Sequence, residues 1–441
     1  MFSLHGITSS GDTVVGVVAG TVLLSRYLYS FFFYLALPLV FLRLFWRSLK
    51  EPSYRYSLLQ RLGFGVPVSS NKLIWIHAVS AGETIAATPL ARRLLTQGYD
   101  ILMTNMTPTG RERASVLLGS QVENRYAPYD TPGAVKRFLH LTKPKALIII
   151  DTELWPNMLH YAAKSRVKTI VVNGRLSEKS ARGYKKIAVL SRPMMNAIFR
   201  VAAQSESQGE RFIELGLEEH KLIVTGSTKF DVVHDATPGA TSDLLAPSFK
   251  NRYVLVAAST HSGEEEAVLS ALKIIKEVIP EILLVLVPRH PHRAAEVFKL
   301  CDKYGFVTQK HSDGQGCEDG TSVYLLDTMG ELMAFFGLAN AAFVGGSLAP
   351  VGGHNPMEPA SFELPVFMGP YIRNVSDIAQ QFIDEGGMKL VYSGTDLARE
   401  IQLIHESEAE VQHMREATNR VMERNKGALD RVENLIVQAL Q

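Results

Sequence analysis

The feature that most constrains the fold of this chain is a series of short apolar runs that alternate with longer segments of helical periodicity. In the first half of the chain these runs occupy residues 73–77 (LIWIH), 101–104, 146–150 (ALIII), 169–173 (TIVVN), 201–204 and 222–225. A strand with one exposed face alternates apolar and polar residues, whereas continuously apolar runs are typical of parallel strands covered by helices on both faces. The pattern therefore predicts a doubly wound α/β unit.

A second series of apolar runs follows a break in the pattern. The break, residues 231–250, reads DVVHDATPGATSDLLAPSFK and is rich in residues that form turns and linkers. The runs then recur at 253–258, 282–287, 322–326, 341–344, 365–368 and 390–392, and a polar amphipathic tail follows. Because 441 residues exceed what one core usually accommodates, we expect two such domains, residues 51–235 and 236–441, with the C-terminal helices in the second.

The N-terminal 50 residues depart from a globular composition. Between residues 14 and 46 the only charged residues are Arg26 and Arg43, and the densest apolar stretch, 27–42, reads YLYSFFFYLALPLVFL. This stretch is shorter than the roughly 20 residues of a spanning helix, although upstream residues extend it. No small-residue cleavage site follows it, which disfavours a signal peptide. We expect residues 1–50 to be a membrane anchor that either spans the bilayer or lies in its interface.

Charge and cysteine content narrow the function further. The apolar stretch is followed by basic residues with only Glu51 opposing them, so the positive-inside rule predicts that the rest of the chain is cytoplasmic. A formal net charge of +2 provides no global field for binding nucleic acid. The two cysteines, Cys301 and Cys317, lack metal-ligand spacing and indicate a reducing compartment. We therefore expect no nucleic-acid partner and no metal site.

Polar residues directly after the strand runs are the candidates for chemistry, because ligands of doubly wound sheets bind beyond the carboxyl ends of the strands. After the first run, Ser80 and Glu83 have the spacing of a capping box at the start of a helix. The alternative function of Glu83 is that of a general base for an acceptor hydroxyl, with His77 as the rival base. Spacing alone leaves the capping and catalytic interpretations open.

Three further charged residues follow later strands of the first domain. Asp151 and Glu153 come directly after ALIII, but a metal role is disfavoured because no third carboxylate is nearby in the sequence. Lys229 lies between the two series of strands, where a cation suits the neutralisation of a charged ligand.

The second domain has three motifs at predicted strand ends that suit an anionic nucleotide. VPRHPHR (287–293) places Arg289 at a strand end, and arginine suits phosphate recognition. In DTMGE (327–331), Thr328 is expected to cap a helix whose free amides suit an anion. FVGGSLAPVGGHNPMEPA (343–360) predicts a helix start with Asn355 as cap, and Glu358 suits two ribose hydroxyls. No GxGxxG dinucleotide fingerprint occurs.

These motifs in this order resemble those of the Kdo transferases of lipopolysaccharide assembly. The segments that carry the resemblance are HAVSAGET, NMTPTGRER, DTELWPN, NGRLS, TGSTKFD, STHSGEEE, VPRHPHR, DTMGEL and FVGGS with GGHNPMEP. The similarity runs from about Tyr27 to near the C-terminus. It implies a GT-B fold, in which two Rossmann-like domains face each other across a cleft, the N-terminal one binding the acceptor and the C-terminal one binding the CMP-sugar.

The resemblance also implies an activity and a location. Enzymes of this family transfer Kdo from CMP-Kdo to a lipid A precursor such as lipid IVA, with inversion and without a metal or other cofactor. The implied location is the cytoplasmic side of a bacterial inner membrane, whose lipids are the remaining partners. Five basic residues are expected contacts to acceptor phosphates: Arg175, Arg182, Lys185, Lys186 and Arg192.

Residue roles follow from the resemblance position by position. Glu83 corresponds to the catalytic base, and Asp151 and Lys229 correspond to charged groups that support the transition state. The implied CMP site consists of Pro288, Arg289, Met329, Gly330, Glu331, Asn355, Pro356, Met357 and Glu358. Two positions depart from the family pattern, since Ala81 stands where Val is frequent and Asp151 where Glu is common.

The sequence leaves two alternatives to a transferase open. A non-hydrolysing sugar-nucleotide epimerase has the same two-domain architecture but has no need of an apolar anchor. A non-catalytic membrane-bound scaffold would use the glycine-rich segments only as structural turns.

Overall fold

The structure, a computed structural model, describes residues 10–50, 52–65, 70–232, 246–314 and 317–441. The chain divides into two compact units, Met1–Lys229 with Gly427–Gln441 and Phe230–Lys426. Each unit contains a seven-stranded sheet in which all paired strands are parallel. The prediction of an α/β fold with two doubly wound parallel sheets is confirmed.

The sheet of the first unit has the strand order β3-β2-β1-β4-β5-β6-β7. Its strands are β1 Leu73–His77, β2 Asp100–Asn105, β3 Glu123–Tyr126, β4 Ala146–Ile150, β5 Lys168–Gly174, β6 Arg200–Ala203 and β7 Leu222–Val224. Ile74 pairs with Ile101 on one side and with Ala146 on the other. The order reverses between β1 and β4, and ligands of such sheets bind beyond the carboxyl ends of the strands at this reversal.

Helices cover both faces of the first sheet. The helices of the first unit are α1 Ser10–Lys50, α2 Leu58–Arg61, α3 Ala81–Thr96, α4 Pro108–Leu118, α5 Pro132–Thr142, α6 Pro156–Lys164, α7 Glu178–Lys186, α8 Ala188–Ala197 and α9 Glu206–Glu214. Of these, α1 packs on α6 and α8. Alternate strand residues serve the two faces, so that Ile74 packs in the core beneath α3 and Trp75 packs in the core beneath α5 and α6. Burial on both faces explains why these strands are continuously apolar.

The sheet of the second unit has the order β10-β11-β9-β8-β12-β13-β14, which reverses between β8 and β12. Its strands are β8 Val254–Thr260, β9 Leu283–Pro288, β10 Thr308–Lys310, β11 Val323–Leu325, β12 Ala341–Val344, β13 Val366–Met368 and β14 Met388–Leu390. Its helices are α10 Glu264–Ile275, α11 Ala294–Lys303, α12 Leu332–Phe336, α13 Met357–Ala360, α14 Ser376–Glu385, α15 Gly394–Glu406 and α16 Glu408–Asn425, besides a helical turn over residues 246–249.

Twelve of the fourteen strands overlap predicted apolar runs, β14 by the single residue Leu390, and the two exceptions share a physical cause. β3 (ENRY) and β10 (TQK) are polar strands, and each is the edge strand of its sheet. An edge strand has one neighbour and needs less apolar surface, so the apolar pattern does not reveal it. Residues 233–245 of the predicted linker lie outside the described residues.

The polar tail forms two helices, and the second of them, α17 (Ala428–Leu440), belongs to the first unit. Val432 and Ile436 of α17 pack in the same core as Ile74. On the helix surface, Arg93 of α3 forms an ion pair with Glu433 at 2.9 Å. Sequence analysis had placed all the C-terminal helices in the second domain, whereas the structure divides them, because the apolar face of α17 completes the cover of the first sheet.

The N-terminal helix α1 has the length and apolar composition expected of a membrane anchor. Within it, Leu23–Leu49 is long and apolar enough to cross a membrane by length and composition, with a mean hydropathy of 1.8. Pro38 lies inside this helix.

The contact between α10 and α15 depends on a glycine. A Cβ on Gly394, the first residue of α15, would lie 2.2 Å from the Ala267 carbonyl oxygen of α10. We predict that Gly394→Ala lowers the free energy of unfolding by about 1–3 kcal/mol, measured by urea denaturation, because the overpacked helices must separate. The matched control is Gly183→Ala in α7, where no atom lies within 4 Å of the added methyl group and a gain of about 0.5–1 kcal/mol is expected. Equal stability of the two variants would contradict the prediction.

Candidate active site

Two predicted catalytic residues follow the two strands at which the first sheet reverses. Glu83 lies in the first turn of α3, after β1, and Asp151 directly follows β4. The topology therefore brings both carboxylates to the reversal point of the sheet, where ligands of doubly wound folds bind.

The Glu83 side chain is held at the N-terminal cap of α3. The Val79 amide donates to Glu83 Oε2 at 2.7 Å, and the Ser80 hydroxyl donates to Oε1 at 2.9 Å. The Glu83 amide donates in return to Ser80 Oγ at 3.3 Å. The predicted cap by Ser80 is thus confirmed, whereas Glu83 reaches back to the Val79 amide and not to that of Ser80. This arrangement leaves room for a catalytic role because each carboxylate oxygen has a second lone pair.

The electrostatic surroundings of Glu83 suit a base. Burial raises the pKa of the Glu83 carboxyl, and the nearby negative charges of Glu153 and Asp151 raise it further, although the two hydrogen bonds oppose the shift. A raised pKa makes a carboxylate a stronger proton acceptor than a free glutamate.

Asp151 forms the centre of a charged cluster that includes Lys229. Asp151 Oδ1 accepts a hydrogen bond from the Asn173 side-chain amide at 2.9 Å. On the other side, Arg175 Nε lies 3.3 Å and Lys229 Nζ 3.9 Å from Asp151 Oδ2. The structure thus brings Asp151 and Lys229 together, and it adds two residues that sequence reasoning did not assign to this position. Arg175 had been expected at acceptor phosphates.

The backbone of this cluster is strained. Asp151 and Asn173, at the ends of β4 and β5, have left-handed φ angles of 59° and 60°. Such conformations cost about 1–3 kcal/mol each for residues other than glycine and collect at functional sites.

His77, the rival base, is not placed for catalysis. Its side chain is fully buried, with Nδ1 3.0 Å from Thr104 Oγ1 and its ring 4.7 Å from that of Trp155. Burial lowers the pKa of His77 to about 3. An imidazole in this position packs the end of the strand and does not reach a substrate hydroxyl, which leaves Glu83 as the candidate base.

The second unit contains a cavity of 460 Å³ at the reversal point of its own sheet. This volume falls in the range of about 300–1,000 Å³ that is typical of small-molecule sites. The cavity is lined by Ala258, Ser259, Arg289, Met329, Gly330, Leu332, Met333, Phe336, Val344, His354, Asn355 and Glu358. Five of the nine residues predicted for nucleotide binding therefore line one cavity.

Three polar side chains of the cavity carry complementary chemistry. The Asn355 side chain accepts from the Met357 amide at 3.1 Å and donates to Glu358 Oε1 at 3.3 Å. Burial raises the pKa of Glu358, while the Asn355 hydrogen bond and the Arg289 charge oppose this shift. The Arg289 guanidinium makes no ion pair within the described part of the chain, so its charge is available to an anion.

The other four predicted residues do not line this cavity. Glu331 turns away from it, because its carboxylate accepts from the Thr328 hydroxyl and lies 3.1 Å from His311 Nε2. The helix of this motif begins at Leu332, so the expected capping by Thr328 is wrong. Pro288 ends β9, and Pro356 and Met357 lie at the start of α13, which has only four residues. A helix this short offers little dipole, and the anion site depends on side chains instead.

The glycine-rich segment is shaped by Glu264, which sequence analysis did not single out. Glu264 is fully buried, and its carboxylate accepts hydrogen bonds from four consecutive backbone amides at 2.7–3.2 Å: Gly346, Ser347, Leu348 and Ala349. The His261 amide donates a fifth bond at 2.9 Å. These amides are therefore occupied by an internal anion, and no sequence signal distinguishes Glu264 from Glu265 and Glu266 in the same helical turn.

A pair of histidines borders the cavity. His261 Nε2 and His354 Nε2 lie 2.8 Å apart, so one ring donates a proton to the other and at most one of them is charged. Burial, together with the smaller effect of the neighbouring His261, lowers the pKa of His354 to about 4. A Cβ on Gly346 would lie 2.8 Å from the His354 ring, and Gly346 has a φ of 68°, so this position requires glycine.

Within the described residues, no group of three or more His, Cys, Asp or Glu side chains could hold a metal ion. Asp151 and Glu153 have separate partners. Asp151 bonds to Asn173, whereas Glu153 Oε2 accepts from the Trp155 indole at 3.0 Å. The expectation of metal-independent activity remains a prediction.

The fold of the two units occurs in known nucleotide-sugar enzymes. UDP-GlcNAc 2-epimerase from Neisseria meningitidis, solved with UDP-GlcNAc, superimposes with a TM-score of 0.55 over 83% of this chain and 99% of its own, at 14% identity. At this identity the likeness concerns the fold alone, which is of the GT-B type. The predicted fold class is confirmed.

Sequence comparison identifies the family. A family model described as 3-deoxy-D-manno-octulosonic-acid transferase (kdotransferase) matches residues 56–232. A 3-deoxy-D-manno-octulosonic acid transferase of Haemophilus influenzae is 36% identical over 423 residues, which cover 94% of this chain and 99% of that relative. The protein of the same description in Bordetella pertussis is 33% identical over 418 residues, 89% of this chain and 94% of that relative.

The chain belongs to the Kdo transferase family and is a glycosyltransferase. The resemblance that the motifs predicted is confirmed. Family membership favours a transferase over the epimerase and scaffold alternatives, which the fold alone leaves open.

The free charge of Arg289 leads to a prediction for nucleotide binding. We predict that Arg289→Ala weakens the binding of CMP by about 1.5–3 kcal/mol in isothermal titration calorimetry, because a charge-assisted hydrogen bond to phosphate is lost. Arg399→Ala is the control, since Arg399 lies exposed on α15, outside the cavity lining, and CMP affinity should be unchanged. Unchanged affinity in Arg289→Ala would remove this residue from the site.

Proposed function

We propose that this enzyme transfers Kdo from CMP-Kdo to a lipid A precursor, lipid IVA, with inversion of configuration and with Glu83 as the general base. The observation that carries the proposal is the cavity of the second unit, which is lined by the Arg289 guanidinium, the Asn355 amide and the Glu358 carboxylate together with apolar side chains. This combination suits a nucleoside monophosphate, and family membership supports CMP-Kdo as the donor.

The donor is proposed to bind by three complementary contacts. Arg289 attracts the phosphate, and Glu358 accepts hydrogen bonds from the ribose hydroxyls, with Asn355 holding the carboxylate in place. The apolar side chains of Met333 and Phe336 offer a surface for the pyrimidine. Pro288, Glu331, Pro356 and Met357 would then support the lining residues and not touch the nucleotide themselves.

The proposed reaction is a single displacement. Glu83 removes the proton of the acceptor hydroxyl, the hydroxyl oxygen forms a bond to the anomeric carbon of Kdo, and the bond from that carbon to the phosphate oxygen breaks. The electron pair leaves with CMP, and the configuration inverts. The raised pKa of Glu83 supports its role, because a base acts best when its pKa approaches the working pH.

Asp151 and Lys229 are proposed to support charge development around the acceptor. Lys229 is half-buried, and its ammonium lies 3.9 Å from a carboxylate that Asn173 and Arg175 also hold. A cation fixed in this way is ready to act without rearrangement, which is how charged groups contribute most to catalysis.

We propose that the enzyme works at the cytoplasmic side of a bacterial inner membrane. The apolar helix α1 supplies an anchor by length and composition. The basic residues that follow its apolar stretch, among them Arg43 and Arg47, suit anionic lipid headgroups on the cytoplasmic side.

Release of CMP tests the proposal as a whole. With CMP-Kdo and lipid IVA, the protein should release CMP and yield a lipid heavier by Kdo, both measurable by mass spectrometry. CMP-Kdo alone should remain intact, and UDP-N-acetylhexosamines should not be epimerised. Conversion of a UDP-sugar without any lipid acceptor would instead support the epimerase.

Substitution of the base separates catalysis from capping. We predict that Glu83→Gln lowers kcat by roughly 10²–10⁴-fold while CMP affinity and the melting temperature stay nearly unchanged, because glutamine also completes a capping box. Glu112→Gln, at an exposed position of α4, is the matched control and should retain full activity. Near-normal turnover in Glu83→Gln would leave Glu83 with its capping role alone.

The pH profile provides a further check on Glu83. A base must be deprotonated, so activity should fall as the pH drops through the raised pKa of Glu83. We predict an acidic limb of kcat/KM whose apparent pKa lies above that of an ordinary glutamate. A limb at or below the ordinary value would contradict the proposed base.

We also predict that turnover survives an excess of EDTA. CMP-Kdo has a single phosphate with less charge than a sugar diphosphate, and the Arg289 guanidinium can stabilise it without the coordination geometry of a cation. The measurement compares initial rates with and without EDTA, and then with added magnesium or manganese. Loss of activity that either metal restores would make Asp151 and Glu153 candidate ligands and contradict the prediction.

A further inference from the structure

One face of α1 is docked along the first unit. Side chains with reduced exposure recur every three to four residues, which is the period of one helix face: Arg26, Ser30, Phe33, Leu37, Phe41, Leu44 and Ser48. Near one end of this seam, Arg26 donates to Asn157 Oδ1 at 3.3 Å and to Tyr161 Oη at 3.2 Å. Further along, the rings of Phe33 and Phe41 lie 6.4 and 5.9 Å from that of Tyr129.

The polar part of this seam fixes α1 to the domain. Ser30 Oγ accepts from the Asn157 side-chain amide at 3.0 Å, and Asn157 is fully buried. The Asn157 backbone amide and its side-chain amide also donate to Asp130, at 3.0 and 2.8 Å. If α1 left the domain, the guanidinium of Arg26 would enter lipid without a partner. The buried Asn157 would lose its hydrogen bonds to Arg26 and Ser30. Both changes are costly.

The length of the seam excludes a transmembrane arrangement of the same residues. From Arg26 to Ser48 there are 22 residue steps, which at 1.5 Å each is about 33 Å of helix. The hydrocarbon core of a bilayer is about 30 Å thick. The residues that would have to span the bilayer are therefore the same ones that pack against the first unit.

The opposite face of α1 is a continuous apolar surface. Its large side chains are 49–72% exposed: Leu24, Tyr27, Leu28, Phe31, Phe32, Leu35, Leu39, Leu42, Phe45, Trp46 and Leu49. Soluble proteins rarely expose a patch of this size unless it is an interaction surface. Arg43 and Arg47 accompany it on the same helix, and a basic border next to an apolar face suits anionic lipid.

We propose that α1 lies in the plane of the membrane, docked on the first unit by its seam and inserted into the acyl-chain boundary by its outer apolar face. The occupant of that face is the lipid of one leaflet, so the enzyme is monotopic and does not span the bilayer. The choice of lipid over a second protein copy rests on the aromatic and leucine composition with its basic border.

This arrangement also positions the catalytic edge of the first unit. The seam residue Ser30 bonds to Asn157, which follows β4, and Asn157 in turn donates to Asp130, which follows β3. Asp151 follows the same strand β4. The membrane-facing helix is thus fixed to the strand ends that hold the proposed acceptor chemistry. Given the proposed function, a lipid-linked acceptor offers its sugar to this edge at headgroup depth while its acyl chains stay in the leaflet.

Depth measurements along α1 test the proposal. Single cysteines replace outer-face residues in Leu28→Cys, Leu35→Cys, Leu42→Cys and Trp46→Cys, and each carries a nitrobenzoxadiazole fluorophore; the natural Cys301 and Cys317 are buried. The full-length variants are bound to vesicles of phosphatidylethanolamine and phosphatidylglycerol. Quenching by lipids with spin labels at different acyl depths then measures how far each fluorophore lies below the surface.

We expect all four labels to lie at one shallow depth, about 5–10 Å into the headgroup and acyl boundary. In a spanning helix, positions 28 and 42 would differ in depth by about 21 Å, because 14 residues rise by 1.5 Å each. Glu112→Cys, exposed on α4, is the control and should remain unquenched. A depth that changes steadily along the helix would overturn the proposal, and so would the absence of quenching at all four positions. No substrate is present, so this result is independent of whether the enzyme transfers Kdo.

Discussion

The shape of the cavity in the second unit depends on one buried carboxylate, that of Glu264. A charged group with no solvent exposure is tolerable only when protein groups replace its water, and here five backbone amides do so. Four of these amides belong to the segment after β12, so the carboxylate fixes a turn that an isolated glycine-rich chain would not hold. The His354 ring lies against Gly346 of this turn and lines the cavity, so the Glu264 carboxylate also helps to shape one wall of the cavity.

The first unit uses the same device at its own sheet. The buried carboxylate of Asp130, which follows β3, accepts from the amides of Asn157 and Met158 at the start of α6. This contact joins the ends of two strands that are not neighbours in the sheet. Burial raises the pKa of Asp130 to about 6, while the two amides oppose the shift. In both units an internal acid therefore organises the carboxyl ends of the strands, and in the first unit Glu83 and Asp151 remain as candidates for chemistry.

The sequence predicts those parts of the molecule that depend on local pattern. Continuous apolar residues predict fully buried strands such as β4, and the spacing of Ser80 and Glu83 predicts a helix start. The polar edge strands β3 and β10 have no such pattern. Contacts between distant segments were not predictable either. Glu264 lies 82 residues from Gly346, with which it bonds, and nothing in the triplet EEE at 264–266 distinguishes the residue that turns inward. For the same reason, the pairing of Arg175 with Asp151 and of His261 with His354 emerged only from the structure.

The fold alone does not separate a transferase from an epimerase, so the difference must reside in features added to the two sheets. One such feature is the connection from α1 through Asn157 to Asp130, because an enzyme acting on soluble nucleotide sugars has no use for an apolar helix fixed at its strand ends. The placement of Arg26 in an apolar stretch follows from this connection. A cation there would be a defect in a spanning helix, whereas on a docked helix it is the group that fixes which face meets the protein and which meets lipid. The charge that makes the segment a poor transmembrane helix thus makes it a well-oriented surface helix, and this orientation connects the membrane to the chemistry of the first unit.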